Sequence, residues 1–224
     1  GTTLGGSLVP DANTPLNTLS LLGSYGVNDN INVILGVSHN KLEKGTVTTS
    51  RGKYDIVGTS STGTITGVAY SKPDIALRFE LLFQPKSELK TDTVYTRSVV
   101  GAAATAVSNP SFQSTLSRPQ TLTLTFQSGV AKDTLVYGSI HKAAWKKSQI
   151  SVPATTAAGL SGGAADVGSV FNDTTAYSLG VARKVSDSLA LTASYNSEAG
   201  SGKAATSLFT MTNGYKGASL GARY

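Results

Sequence analysis

The chain has 224 residues, of which 39% are hydrophobic and 7% aromatic, with 24 glycines and no cysteine. So few large apolar side chains argue against a soluble β-sandwich of this length and suit a barrel with lipid outside and water inside. The net charge of +6, from 19 Lys and Arg against 13 Asp and Glu, is scattered without a basic stripe carrying aromatics, which argues against nucleic-acid binding.

Membrane helices are excluded, because no stretch approaches the roughly 18 uninterrupted apolar residues they need. Absence of cysteine accords with export through an oxidising compartment. No basic segment followed by an apolar one opens the chain at Gly1, so a mature or shortened form is expected.

Apolar residues fall instead on alternate positions in short segments, the period of β-strands. Leu19, Leu21 and Tyr25 share one parity before the turn Val27-Asn28-Asp29-Asn30. Ile31, Val33, Leu35 and Val37 follow it, with Ile34 breaking the pattern. A long connection over 42–63 leads to the turn Ser71-Lys72-Pro73-Asp74. After it Ile75, Leu77, Phe79, Leu81 and Phe83 form one face, with Ala76, Arg78, Glu80, Leu82 and Gln84 on the other. A second long connection spans 86–118, after which Leu122, Leu124 and Phe126 point outward and Thr121, Thr123, Thr125 and Gln127 inward.

The third turn is Val130-Ala131-Lys132-Asp133, and its return strand, Leu135 to Trp145, is open to two readings. Either Leu135, Tyr137 and Ser139 or Val136, Gly138 and Ile140 face lipid. Beyond a connection over 146–174, Tyr177, Leu179 and Val181 precede Val185-Ser186-Asp187-Ser188, and Leu189, Leu191, Ala193 and Tyr195 follow it. A last connection, 197–213, reaches a ninth strand from Tyr215 to Tyr224, with Ala218, Leu220, Ala222 and Tyr224 on one face.

Short and long links therefore alternate without exception, the pattern of a transmembrane antiparallel up-and-down β-barrel with short periplasmic turns and longer extracellular loops. Strands span a bilayer only when closed into a barrel. Nine strands is an odd count, so one barrel domain over 1–224 is expected to lack an N-terminal plug and one or more strands of a larger even-stranded barrel.

The run Lys72-Pro73-Asp74-Ile75-Ala76-Leu77-Arg78-Phe79 and the hairpin from Arg118-Pro119-Gln120-Thr121-Leu122-Thr123-Leu124 through Phe126-Gln127-Ser128-Gly129 to Tyr137-Gly138-Ser139-Ile140 resemble the FadL/TodX (OMPP1) family of outer-membrane transport proteins. So do Tyr177-Ser178-Leu179-Gly180-Val181-Ala182-Arg183-Lys184 and Thr212-Asn213-Gly214-Tyr215. The resemblance covers roughly residues 17–224 and rests on strand motifs, not on catalytic signatures. It implies a barrel of roughly fourteen strands in the bacterial outer membrane that takes up long-chain fatty acids or other hydrophobic small molecules by passive diffusion. It also implies a plug in the lumen, an apolar groove in the extracellular loops and a sideways exit at a kinked strand, none of which stands out in this chain.

Within that frame the inner-face residues Arg78, Glu80 and Gln84 are candidate ligand contacts, Arg78 being suited to hold a carboxylate headgroup by two hydrogen bonds. Lys142 joins them if Val136, Gly138 and Ile140 face inward. An ion pair that only neutralises Arg78 and Glu80 is the plainer alternative. Leu89, Val94, Tyr95 and Phe112, with Val99 and Val100, offer an apolar patch in the 86–118 connection, or ordinary loop packing. Arg183 and Lys184, beside a turn, are expected to reach toward lipid headgroups.

Gly159-Leu160-Ser161-Gly162-Gly163 matches a nucleophile-elbow string, but its low-complexity flanks supply neither the strand nor the helix that such chemistry needs. His39 and His141 lack companions at metal-ligand spacing. No enzyme activity, cofactor or metal is expected. The partners implied are outer-membrane lipid and a hydrophobic or amphipathic small molecule. A general porin and a non-membrane β-rich surface protein are the alternatives.

Overall fold

The computed structural model describes residues 3–4, 7–8, 11–49, 52–97, 111–149, 151–152, 167–168, 171–200 and 214–224. With strands numbered along the chain, the larger sheet contains β4 (Leu16–Gly26), β5 (Ile31–Leu42), β8 (Thr59–Lys72), β9 (Leu77–Gln84) and β12 (Thr121–Ala131). It continues through β13 (Thr134–Ala143), β16 (Thr174–Lys184), β17 (Ala190–Glu198) and β18 (Tyr215–Arg223). Each of these nine strands pairs antiparallel with the next in that order. The outermost strands, β4 and β18, are not paired with each other among the described residues.

The tight turns lie where turn-forming residues stand. Asn28 Oδ1 accepts from the N–H groups of Asn30 and Ile31 at 2.9 and 2.8 Å, closing the first turn. A 3₁₀ turn over Pro73–Ile75 ends at Ala76, whose φ of 50° lies in the left-handed region. Asp133, at φ 58°, reverses the chain between β12 and β13. In the fourth turn Lys184 Nζ meets Asp187 Oδ1 at 2.8 Å, so this lysine, expected to reach toward headgroups, instead has an ionic partner in its own turn.

Register across the sheet separates the two parities. One row runs Tyr25, Val33, Val68, Leu81, Leu124, Ile140, Tyr177 from strand to strand. The adjacent row on the other face runs Gly26, Asn32, Ala69, Glu80, Thr125, Ser139, Ser178, Asn196, Gly217. Directly opposed residues share a face, so Val136, Gly138 and Ile140 belong to the apolar side, and Leu135, Tyr137, Ser139 and His141 to the polar one. The Tyr137 ring lies over Gly180, where any Cβ would collide with it.

Segments read from sequence as long connections contain strands of their own, which the sequence reading did not anticipate. Strands β3 (Asp11–Asn13), β6 (Gly45–Thr49), β7 (Gly52–Ile56), β10 (Ser87–Arg97), β11 (Ser111–Arg118), β14 (Ser151–Val152) and β15 (Val167–Gly168) form a second sheet. Its order is β15-β14-β11-β10-β7-β6-β3. A short pair, β1 (Thr3–Leu4) and β2 (Ser7–Leu8), stands apart.

The reason is again period two. Leu89, Thr91, Thr93 and Tyr95 of β10 are all buried, and β-branched Thr and Val suit a half-buried pleated surface. Leu89 and Tyr95 pack with Leu42, Val47, Tyr54 and Ile56 against Leu116 and Phe171. The rings of Tyr54 and Tyr95 lie 4.8 Å apart, and Thr93 Oγ1 donates to Ser114 Oγ at 2.8 Å. We term this layer the rim sheet, because it grows from the end of the larger sheet opposite the four tight turns. Leu89→Ala should destabilise it by about 2–5 kcal/mol, the range for emptying a packed leucine site, as measured by the urea midpoint in detergent.

Candidate functional site

The polar face of the nine-stranded sheet is lined mainly by Ser, Thr, Gly and Ala. Strand β9 carries three of the predicted contacts on this face, separated by the alternation of its backbone. Arg78 Nη2 lies 2.6 Å from Glu80 Oε2, and Glu80 is the more sheltered of the two. The guanidinium thus has an acid neighbour on its own strand, as the ion-pair alternative supposed. Gln84 stands six residues beyond Arg78, about 20 Å at the usual strand rise. There its Nε2 donates to Ser38 Oγ at 3.1 Å, so it does not converge with Arg78.

Lys142 does not join them either. It opposes Leu122 and Thr175 in register, on the apolar face, and its side chain is exposed. Of the expected apolar loop patch, the structure describes the side chains of Leu89, Val94 and Tyr95. Leu89 and Tyr95 are sealed in the rim core at 2% and 3% exposure, whereas Val94, of the other parity, borders a shallow groove with Lys44, Asp55 and Val57. The side chain of Phe112 lies outside the described residues.

Of the histidines, His141 is on the polar face with Nδ1 2.8 Å from Thr123 Oγ1, and His39 opposes Leu19 and Thr62 on the apolar side. No three potential metal ligands cluster among the described residues. The Gly159–Gly163 motif lies outside them.

A second polar constellation, not singled out in the sequence, occupies the seam between the two sheets. Asn40 of β5 is fully buried, and its Oδ1 accepts from Thr18 Oγ1 at 3.0 Å and from Arg118 Nη1. Ser61 opposes Asn40 across β5 and β8, and Ser87 opposes Arg118 across β10 and β11. Asn40 Nδ2, Ser61 Oγ and Ser87 Oγ are all buried without a hydrogen-bond partner.

Burial, with no charged neighbour to offset it, lowers the pKa of the Arg118 guanidinium, which belongs to the rim sheet. Among the described residues Arg118 has no carboxylate partner, whereas Lys41, Lys53, Arg78, Lys86 and Lys184 each have one. One signal in the sequence pointed here: Arg118 is the only charged residue of Ser-Phe-Gln-Ser-Thr-Leu-Ser-Arg.

The Arg78–Glu80 pair is only partly shielded, so solvent screens it. A double-mutant cycle with Arg78→Ala and Glu80→Ala should return a coupling below about 1 kcal/mol in chemical denaturation.

No protein-family model matches the chain, and no curated protein does. Solved structures do. A Pseudomonas aeruginosa FadL homologue superposes with a TM-score of 0.71 at 16% identity, over 93% of this chain and 56% of its own. The Pseudomonas putida toluene transporter TodX gives 0.61 at 13% identity, over 92% and 59%. The Ralstonia pickettii toluene transporter TbuX gives 0.55 at 13%, over 84% and 57%. At these identities the likeness is one of fold: the chain has the strand arrangement of a FadL-type β-barrel and spans a little over half the length of those proteins.

Proposed function

We propose that this chain forms part of a bacterial outer-membrane channel that takes up hydrophobic or amphipathic small molecules by passive diffusion, long-chain fatty acids among them. The observation that carries the reading is the apolar row from Tyr25 to Tyr177 across seven strands on one face of the nine-stranded sheet, backed by a row of small and polar residues on the other. Leu19, Leu21 and Leu220 are 76%, 74% and 89% exposed. In water so broad an apolar surface would drive aggregation, and in a bilayer it is the face that lipid covers. That disfavours a non-membrane surface protein.

The fold likeness to a FadL homologue and to two toluene transporters supports hydrophobic cargo over ions. A general porin would carry a more charged lumen. Here the polar face is mostly uncharged, and Arg78 is paired with Glu80. Passive diffusion asks for no covalent chemistry.

Two measurements test this. Reconstituted into lipid vesicles, the protein should admit a labelled fatty acid or toluene while giving small ion conductance in a planar bilayer; large steady conductance would favour the porin. Leu191→Arg should cost roughly 2–4 kcal/mol of unfolding free energy in vesicles if the site is near the midplane, and Thr192→Arg, on the polar face, close to none. Equal tolerance at the two neighbours would remove the lipid-facing side and the proposal with it.

A further inference from the structure

Arg118 differs from Arg78 in what surrounds it, and the difference has a chemical meaning. A guanidinium offers five N–H donors, and the contact to Asn40 uses one of its nitrogens. The oxygen of Asn40 is already engaged by Thr18 and Arg118, which leaves its amide nitrogen as a pure donor without an acceptor. Ser61 and Ser87 add two hydroxyls, likewise unpartnered. The seam therefore places one unpartnered amide donor and two unpartnered hydroxyls, each able to donate, beside one positive charge, and no carboxylate pairs with Arg118 among the described residues.

The four side chains are held by register. Asn40 and Ser61 are direct cross-strand neighbours on the larger sheet, and Ser87 and Arg118 on the rim sheet, each such pair having Cβ atoms about 4.5–5.5 Å apart. The two pairs meet: a Cβ placed on Gly63 would lie 3.0 Å from Ser38 Oγ and 4.0 Å from Ser87 Cβ, so the rim strand β10 abuts the wall at β8. Two positions further along the same faces stand Leu42, Leu89 and Leu116, which keep the surroundings apolar. In such a place unpaired donors are unfavourable, and water, which also reaches the half-buried guanidinium, satisfies them without neutralising its charge. An anion does both.

We propose that Arg118, Asn40, Ser61 and Ser87 form an oxyanion site that takes the carboxylate headgroup of an amphipathic ligand. This rests on the channel reading above and moves the headgroup anchor from Arg78, closed by Glu80, to the seam. Arg118 and Asn40 Nδ2 donate to the two carboxylate oxygens, and the serine hydroxyls complete the shell; a charge-assisted set of this kind discriminates strongly against a neutral headgroup.

The test is calorimetric titration of the purified protein at pH 8, in micelles of an uncharged detergent, with dodecanoate, dodecanol and acetate. The wild type should bind dodecanoate roughly tenfold or more tightly than dodecanol, and acetate only weakly. Arg118→Gln should erase that preference and leave dodecanol unchanged. Asn40→Asp guards against a variant that merely fails to fold: it sets a carboxylate against the guanidinium, so the thermal midpoint should rise while the preference for the acid disappears. A preference for dodecanoate that survives in either folded variant overturns the site. Acetate bound as tightly as dodecanoate overturns the ligand assignment in favour of a free small anion. If the wild type binds the alcohol but shows no preference for the acid, the site falls and the channel stands; if it binds neither amphiphile, both fall.

Discussion

The antiparallel hydrogen-bond ladder, continuous across nine strands, is the constraint on which the rest of the molecule depends. A β-strand places consecutive side chains on opposite faces, and a ladder fixes which residues stand opposite one another. Once Tyr25 opposes Val33, every later pairing inherits the choice, and the apolar row through Val68, Leu81, Leu124, Ile140 and Tyr177 follows. A slip of one residue in any pair would turn that strand's apolar set onto the polar face. The tight turns protect this register. The Asx turn at Asn28 and the Lys184–Asp187 contact fix two of the reversals by side-chain bonds.

The same constraint explains the rim sheet. Ladders end where the chain must turn, but β9 is followed after two residues by β10, and β11 by β12 in the same way. The chain leaves the larger sheet with β-geometry nearly intact, and pairing among the connections uses backbone groups that would otherwise need water. Alternation along β10 then gives the rim an inner side of its own, where Leu89 and Tyr95 meet Val47, Tyr54 and Ile56. Apolar residues in the connections are in this way consumed by packing, and Leu89 and Tyr95 are left unable to serve as an open groove.

Where the two sheets meet, electrostatics separates two arginines that look alike in composition. Arg78 sits two residues from an acid on its own strand, the spacing that brings side chains to the same face. Arg118 ends a strand with no other charge and reaches a buried amide instead. Desolvation weighs on a guanidinium in proportion to its burial, and only an opposite charge or several strong acceptors offset it. The seam gives Arg118 one acceptor from Asn40 and no carboxylate among the described residues, which sets it apart from the paired charges elsewhere on both sheets.

Period-two alternation and turn chemistry are local properties of sequence, so they made the nine strands, the four tight reversals and the outward set from Leu19 to Leu220 legible in advance. Neighbouring residues were enough too for Arg78 and Glu80, whose pairing needs only a spacing of two on one strand. What sequence left open was everything decided by partners distant along the chain. The parity of Leu135 to Trp145 was undecided because both of its faces carry apolar residues, and it is resolved by pairing with β12 and β16, which removes Lys142 from the polar face. The rim strands read as loops because their Thr-rich, Gly-rich composition is that of connections until a second sheet gives it something to pack against. The contact between Arg118 and Asn40 joins positions 78 residues apart on different sheets. No window of sequence contains both, and only the closure of one sheet upon the other brings a half-buried guanidinium to a buried amide whose nitrogen has no acceptor.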